Sequence, residues 1–138
     1  MKQNDRRIGV SDILLLLFSA MELLGIRIFF APCGPREDGS WMSCHWAGQA
    51  VTGAAVVLVV LTLVHLLVQD RGMKLGLDVG LAATAVCSAL LPGKLISLCM
   101  MAEMRCHRVM VPGVTVCAVL VVMTAVLDAW MRRECHGL

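Results

Sequence analysis

Four long apolar runs, separated by short stretches rich in charge, glycine or proline, set the pattern of this chain. The first covers about residues 8–31 and contains ILLLLFSAMELLGIRIFF. The second covers about 46–68 (WAGQAVTGAAVVLVVLTLVHLLV), the third about 75–98 and the fourth about 108–130. A helix needs about 20 mainly apolar residues to cross the hydrocarbon layer, where only its internal hydrogen bonds satisfy the backbone. The pattern therefore predicts an all-α membrane protein: one domain over residues 1–138, a four-transmembrane-helix bundle, with outer loops at about 32–45 and 99–107. Arg6 and Arg7 ahead of the first run also fit a secretory signal peptide. No small-x-small cleavage site follows, however, and the run continues past Glu22 to Phe30, so a retained helix is expected.

Composition agrees with a lipid environment. Of 138 residues, 59% are hydrophobic and 16% charged, with no tyrosine, and the mean hydropathy is +0.81. A soluble domain is nearer half apolar and a quarter charged. The formal charge of +2 is too small to imply nucleic acid as a partner. Lysine and arginine sit at the ends of the apolar runs and report orientation. Lys2, Arg6, Arg7, Arg71, Lys74, Arg132 and Arg133 fall on one side; Arg36, Arg105 and Arg108 fall on the other. Seven against three predicts a multi-pass protein of the cell membrane with both termini cytoplasmic. Trp41 and Trp46 then mark the outer interface and Trp130 the inner one. Pro92-Gly93 interrupts the third run, with Lys94 free to snorkel outward, and Pro112-Gly113 lies near the start of the fourth. Gly48, Gly53, Gly76 and Gly80 would let helix backbones approach closely, and Gly76-x-x-x-Gly80 is a weak signal of self-association.

A short motif recurs. Met42-Ser43-Cys44-His45 opens the second run and Met104-Arg105-Cys106-His107 opens the fourth, at an offset of 62 positions. Each half is then an outgoing helix, an outer loop beginning near a cysteine (Cys33, Cys99), a Met-x-Cys-His and a returning helix. Two related helix-pair halves of this kind share one orientation and are related by an axis along the membrane normal. The stretches CGPREDGSWMSCHWAGQA (Cys33 to Ala50) and MRCHRVMVPG (Met104 to Gly113), with the spans between them, resemble a family of small bacterial and archaeal membrane proteins, domain of unknown function 4418. The resemblance covers nearly the whole chain, and Met-x-Cys-His-Trp is its most specific part. It implies four helices, outer cysteines and no established reaction, with Cys33, Met42, Cys44, His45, Cys99, Met104 and Cys106 at motif positions. It also implies an accessory role beside an ABC-type exporter. A histidine at 107 and the intramembrane Glu22 and Arg27 are not part of what it implies.

Cys33, Cys44, Cys99 and Cys106 all fall on the outward side, where disulfides persist in many bacteria. Pairing Cys33 with Cys44 and Cys99 with Cys106 would close each loop on itself, for about 2–3 kcal/mol apiece; the two other pairings stay open. A thiol–disulfide oxidoreductase is the first alternative, with His45 and His107 beside their cysteines to favour the thiolate. The spacings, ten and six intervening residues, lack a Cys-x-x-Cys. A metal- or haem-handling protein is the second alternative. Met42, Cys44, His45, Met104, Cys106 and His107, with Met100 and Met101 nearby, are soft or borderline donors that suit Cu(I) or Zn(II). No Cys-x-x-Cys-His indicates covalent haem.

Glu22 is the deepest acid, costly if ionised in lipid, and Arg27 five positions on is an imperfect helical partner. Both are expected near the outer interface and partly hydrated. Asp12, His65, Asp78 and Asp128 lie towards the cytoplasmic ends of their runs and are expected to need no special role, and Cys135-His136 is incidental. No phosphate loop, nucleophile–base set or His-Glu-x-x-His is present. The expectation is a non-enzymatic accessory or transport-associated membrane component with disulfide-stapled outer loops and no cofactor. Its expected partners are the lipid bilayer and either an exporter or a second copy of itself.

Overall fold

The computed structural model describes residues 9–134. Lys2, Arg6 and Arg7, which entered the orientation count, and Cys135-His136 lie outside the described residues. The described chain is all-α: α1 Val10–Ile28, α2 Ser43–Leu67, α3 Arg71–Leu90 and α4 Val111–Glu134, the last entered through a π-helical turn at Cys106–Met110. α1 packs on α2 and α4, and α3 packs on the same two, so the helices form a ring in chain order. Buried residues from the starts of α1 and α3 meet buried residues from the ends of α2 and α4, which makes the bundle up-down-up-down.

α2, α3 and α4 with its π-turn are long and apolar enough to cross a membrane. α1 has the length, at 19 residues, about 28 Å at 1.5 Å per residue. Asp12, Glu22 and Arg27 nevertheless put three charges into it, so three helices meet the requirement where four were expected. α3 also stops at Leu90 rather than running to 98. Pro92 has no N–H to continue the ladder, and Gly93 turns the chain at φ +90°. The Gly93 amide donates to the Ile96 carbonyl at 3.0 Å, folding 91–98 back as a cap. Its Leu91, Ile96 and Leu98 pack against Ile26, Ala47, Val51, Met110 and Val114.

A second apolar cluster lies further along the bundle: Leu15, Leu58, Leu81, Ala85, Ala118, Val121 and Ala125. The outside is apolar as well. Leu17, Leu24, Val60, Val79, Val116, Val119 and Leu127 are all more than half exposed, while Ser19, Glu22, His65, Asp78, Ser88 and Asp128 are buried. Polar groups inside and branched aliphatics outside invert the soluble arrangement and suit a hydrocarbon solvent.

Candidate functional site

Four thiols gather at the end of the bundle where α1 finishes and α2 begins. Cys33 comes from the loop after α1, Cys44 from the first turn of α2, Cys99 from the loop after α3 and Cys106 from the π-turn ahead of α4. The sulfurs of Cys33, Cys44 and Cys106 lie within 4.8 Å of one another. Cys33 Sγ is 3.2 Å from Cys106 Sγ, and Cys99 Sγ is 3.5 Å from Cys44 Sγ and 3.7 Å from Met42 Sδ. Cys44 and Cys106 are fully buried.

The backbone around them is held by close packing at glycines. Phe30 wedges between α1 and α4 because Gly25 and Gly113 have no side chain: a Cβ there would stand 2.7 and 2.6 Å from its ring. Pro32 lies against Gly48 in the same way, at 2.8 Å from where a Cβ would be. These contacts fix the segment leading into Cys33. Gly53, Gly76 and Gly80 have nothing within 4 Å of a Cβ, so they serve no close helix contact among the described residues.

The loops are not stapled to themselves. All six described cysteines are free thiols, and the short sulfur–sulfur approaches, Cys33 to Cys106 and Cys44 to Cys99, run between the loops. The expected pairs Cys33–Cys44 and Cys99–Cys106 are corrected accordingly. The physical reason is the bundle, which draws both loops over the same end, so residues distant in sequence come within 3.2 and 3.5 Å of each other.

Of the other candidate donors, Met42 joins the thiols and the histidines do not. The His45 ring stacks on Trp41 at 4.0 Å and meets Trp46 edge-on at 5.7 Å. His107 lies outside, its Nε2 2.8 Å from the Cys99 carbonyl oxygen. Met104 instead lines a cavity of about 450 Å³ together with Met42, Met100, Met101, Cys99 and Trp41. Thioethers thus form the approach to the thiols.

Glu22 sits deeper than expected, 1% exposed, with neither oxygen hydrogen-bonded within the described residues. The nearby Ser88 hydroxyl on α3 donates to the Ala85 carbonyl of its own helix instead, at 2.8 Å. Arg27 is exposed and forms no pair with it among the described residues. The hydrated interfacial position expected for Glu22 is therefore corrected, because α1 turns that face into the bundle.

The opposite end holds a cluster that the expectation of no special role overlooked. His65 Nδ1 is 3.2 Å from Asp12 Oδ1, and Nε2 is 3.0 Å from Asp78 Oδ1 and 3.5 Å from Asp128 Oδ2. Lys74 Nζ lies 3.3 Å from Asp12 Oδ2. Arg132 donates from Nε to Asp128 at 2.7 Å and reaches Asp12 at 3.4 Å, and Ser11 donates to Asp128 at 2.6 Å. Asp12 also accepts the Gly9 amide at 3.1 Å, closing the first turn of α1. Each helix supplies at least one member.

No curated protein and no solved structure gives a significant match to this sequence. A family described as a domain of unknown function, DUF4418, matches residues 15–131, which takes in most of every helix, the four clustered thiols, and His65, Lys74, Asp78 and Asp128 of the charged cluster, and leaves out Asp12 and Arg132. With its paired Met-x-Cys-His segments folded over one end of a helix ring, the chain belongs to the DUF4418 family.

Proposed function

We propose that this protein is a four-span component of the cell membrane that binds a thiophilic metal ion, Cu(I) above all, at its cysteine end. The observation that carries the reading is the convergence of Cys33, Cys44 and Cys106 from three separate elements to within 4.8 Å. Metal–thiolate bonds of about 2.3 Å hold sulfurs roughly 4 Å apart, so small adjustments suffice. The methionines lining the adjoining cavity favour Cu(I) over Zn(II), since thioether is a soft ligand. α1 acts as the fourth span: its outward residues Ile13, Leu17, Leu24 and Ile28 are apolar, while Asp12 and Glu22 turn inward. The lysine and arginine bias directs the cysteine end outward and both termini into the cytoplasm. Two apolar layers lie between the thiols and the opposite end, which favours holding or handing over an ion rather than conducting one. A non-enzymatic, transport-associated role beside an exporter suits such a component.

The test is titration of the reduced protein, purified in detergent, with Cu(I) against a competing chelator. One ion per chain is expected, with protons released as thiols ionise. Cys44→Ser or Cys106→Ser should lower the affinity at least about tenfold. A fully reduced protein that takes up no ion, or an unchanged affinity in the triple serine variant of Cys33, Cys44 and Cys106, would end the reading.

A second reading has its own observation. The 3.2 and 3.5 Å cross-loop approaches would become Cys33–Cys106 and Cys44–Cys99 disulfides if an external oxidant removed two electrons and two protons per bond. Non-reducing peptide mapping of protein from the native membrane separates the two. Bridged peptides in both combinations would favour thiol–disulfide chemistry; four alkylatable thiols would favour the metal.

A further inference from the structure

The charged cluster lies at the far end of the bundle from the thiols and is independent of the reading above. Its members among the described residues are three carboxylates (Asp12, Asp78, Asp128), two fixed cations (Lys74, Arg132) and one imidazole, His65. The carboxylates and His65 are at most 3% exposed. Lys74 is held by Asp12, while Arg132 reaches Asp12 and Asp128. Asp78 faces neither; the cation within pairing distance of it, among the described residues, is His65 at 3.0 Å. Counted over these described residues, a neutral imidazole leaves one negative charge unmatched, and Asp78 is the carboxylate with neither lysine nor arginine within pairing distance.

The ring geometry points to the same deficit. Both nitrogens of His65 lie close to carboxylate oxygens, Nδ1 at 3.2 Å from Asp12 and Nε2 at 3.0 and 3.5 Å from Asp78 and Asp128, without an aligned hydrogen bond to any of them among the described residues. A neutral imidazole has one N–H, so its unprotonated nitrogen would lie against a carboxylate, lone pair beside negative charge. Imidazolium presents an N–H on both sides. We propose that the cluster is a proton-binding site. One proton, shared between His65 and the three aspartates, completes the charge balance and ties together the ends of all four helices.

Asp12, His65 and Asp128 also offer ligand atoms at metal-like spacing. A divalent ion would overshoot the balance by one positive charge, and Lys74 and Arg132 already occupy the carboxylates it would need. A single proton closes the balance. It has a route as well: a cavity of about 260 Å³, lined by Gly9, Ser11, Asp12, Arg71, Asp128 and Arg132, leads from the surface to the cluster. Arg71 at that cavity is exposed and its charge is solvated. On α2, His65 is the one titratable member; α1 contributes Asp12, α3 Lys74 and Asp78, and α4 Asp128 and Arg132.

The sign follows from linkage. A proton bound by the folded state stabilises it while bound, so the contribution is present at lower pH and lost as pH rises through the titration of the folded imidazolium. Losing it leaves Asp78 buried and unpaired and loosens the α2–α3 junction. The packing of the bundle at that face of the membrane therefore responds to pH.

The experiment is thermal unfolding of the full-length protein in detergent across pH, for the wild type, Asp78→Asn, His65→Gln and the double variant, with ¹⁵N-histidine NMR of the wild type. Expected is a wild-type Tm that falls on alkalinisation and a doubly protonated ring at neutral pH, its resonance absent in His65→Gln. Asp78→Asn removes the unmatched carboxylate, so its profile should flatten or reverse. His65→Gln should have a low Tm that varies little with pH, and adding Asp78→Asn should restore part of the loss. If His65→Gln fails to fold, the wild-type and Asp78→Asn profiles and the ring resonance still decide. A neutral ring, or identical pH profiles for wild type and Asp78→Asn, overturns the proposal. A divalent cation that raises the Tm of the wild type and of Cys44→Ser, but not of His65→Gln, overturns it in favour of a metal. Failure of Cu(I) titration at the thiols would leave all of these outcomes unchanged.

Discussion

At one end of the bundle four thiols and a thioether gather on loops and helix starts; at the other, three carboxylates, a lysine, an arginine and a histidine sit on the helices themselves. The difference in material matters. A neutral thiol behaves as a small hydrophobe and can be buried at little cost, so the sulfur end is free to be shaped for a ligand. Buried charges are tolerable only as a complete set. The charged end is therefore bound into the stability of the bundle, and the sulfur end is not. Substitutions at the two ends should separate accordingly: fold at one, binding at the other.

The largest expected effect is at Asp128. Replacing it with alanine leaves Arg132 without its 2.7 Å acceptor and Ser11 without its 2.6 Å one, and removes a carboxylate facing His65. Breaking one member out of a buried charged set costs about 3–5 kcal/mol, read as loss of unfolding free energy in detergent. A cost below about 1 kcal/mol would mean the cluster is screened like a surface pair and the contrast between the ends is false.

A smaller effect should appear at the glycines that seat Phe30. Gly113→Ala forces the ring out of a gap where a Cβ would stand 2.6 Å away, an overpacking cost of about 1–3 kcal/mol. Because Phe30 leads into Cys33, the same change should also weaken Cu(I) binding, making this one position where fold and site are coupled. Gly76→Ala is the control: open space surrounds it, and the better helix propensity of alanine should leave stability equal or higher by up to about 1 kcal/mol. Equal losses at both glycines would remove the Phe30 account.

Cys44→Ser sharpens the comparison from the other side. The stability of the ion-free protein should change by no more than about 1 kcal/mol, since a neutral group of similar size replaces the thiol, while affinity for Cu(I) falls at least about tenfold. A large destabilisation in the reduced protein would instead make Cys44 a structural residue and the sulfur cluster a core.

Much of this was readable in the sequence, and the unread part has a physical cause. Apolar run length located α2 and α4 well, and Pro92-Gly93 marks where α3 stops, although the apolar run itself continues past it. That the four cysteines share one end of the bundle was readable, but not which of them meet, because loop spacing says nothing of how two loops fold over one helix ring. Asp12, His65, Asp78 and Asp128 were each judged on their own run, and their convergence depends on helix rotation, which a nearly all-apolar helix hides. A signal was present in α2, where the buried stripe Cys44, Ala47, Val51, Ala55, Leu58, Thr62 and His65, with Gly48 beside it, recurs at intervals of three or four. It is smaller and more polar than the outward Val56, Val57, Val60, Leu63 and Val64. In a membrane helix the small and polar stripe marks the interior, and extending it to residue 65 points that histidine inward.

The smallest effect is expected at Glu22, which lies away from both ends, between the two apolar clusters. Its carboxyl is 1% exposed and unbonded among the described residues, whereas the acids of the charged cluster have lysine, arginine or histidine against them. An isolated ionised carboxylate in such surroundings is far costlier than a neutral one, so neutral replacements are expected to be tolerated. Glu22→Gln keeps the shape and stays neutral, and should change stability by no more than about 1 kcal/mol. Glu22→Leu removes an unsatisfied polar group and should leave stability equal or higher. Unfolding measurements on both variants check this. A loss of about 3 kcal/mol in Glu22→Gln would mean that the carboxylate is charged and balanced by a cation, and the protein would then have a third polar station of the same kind as the charged end.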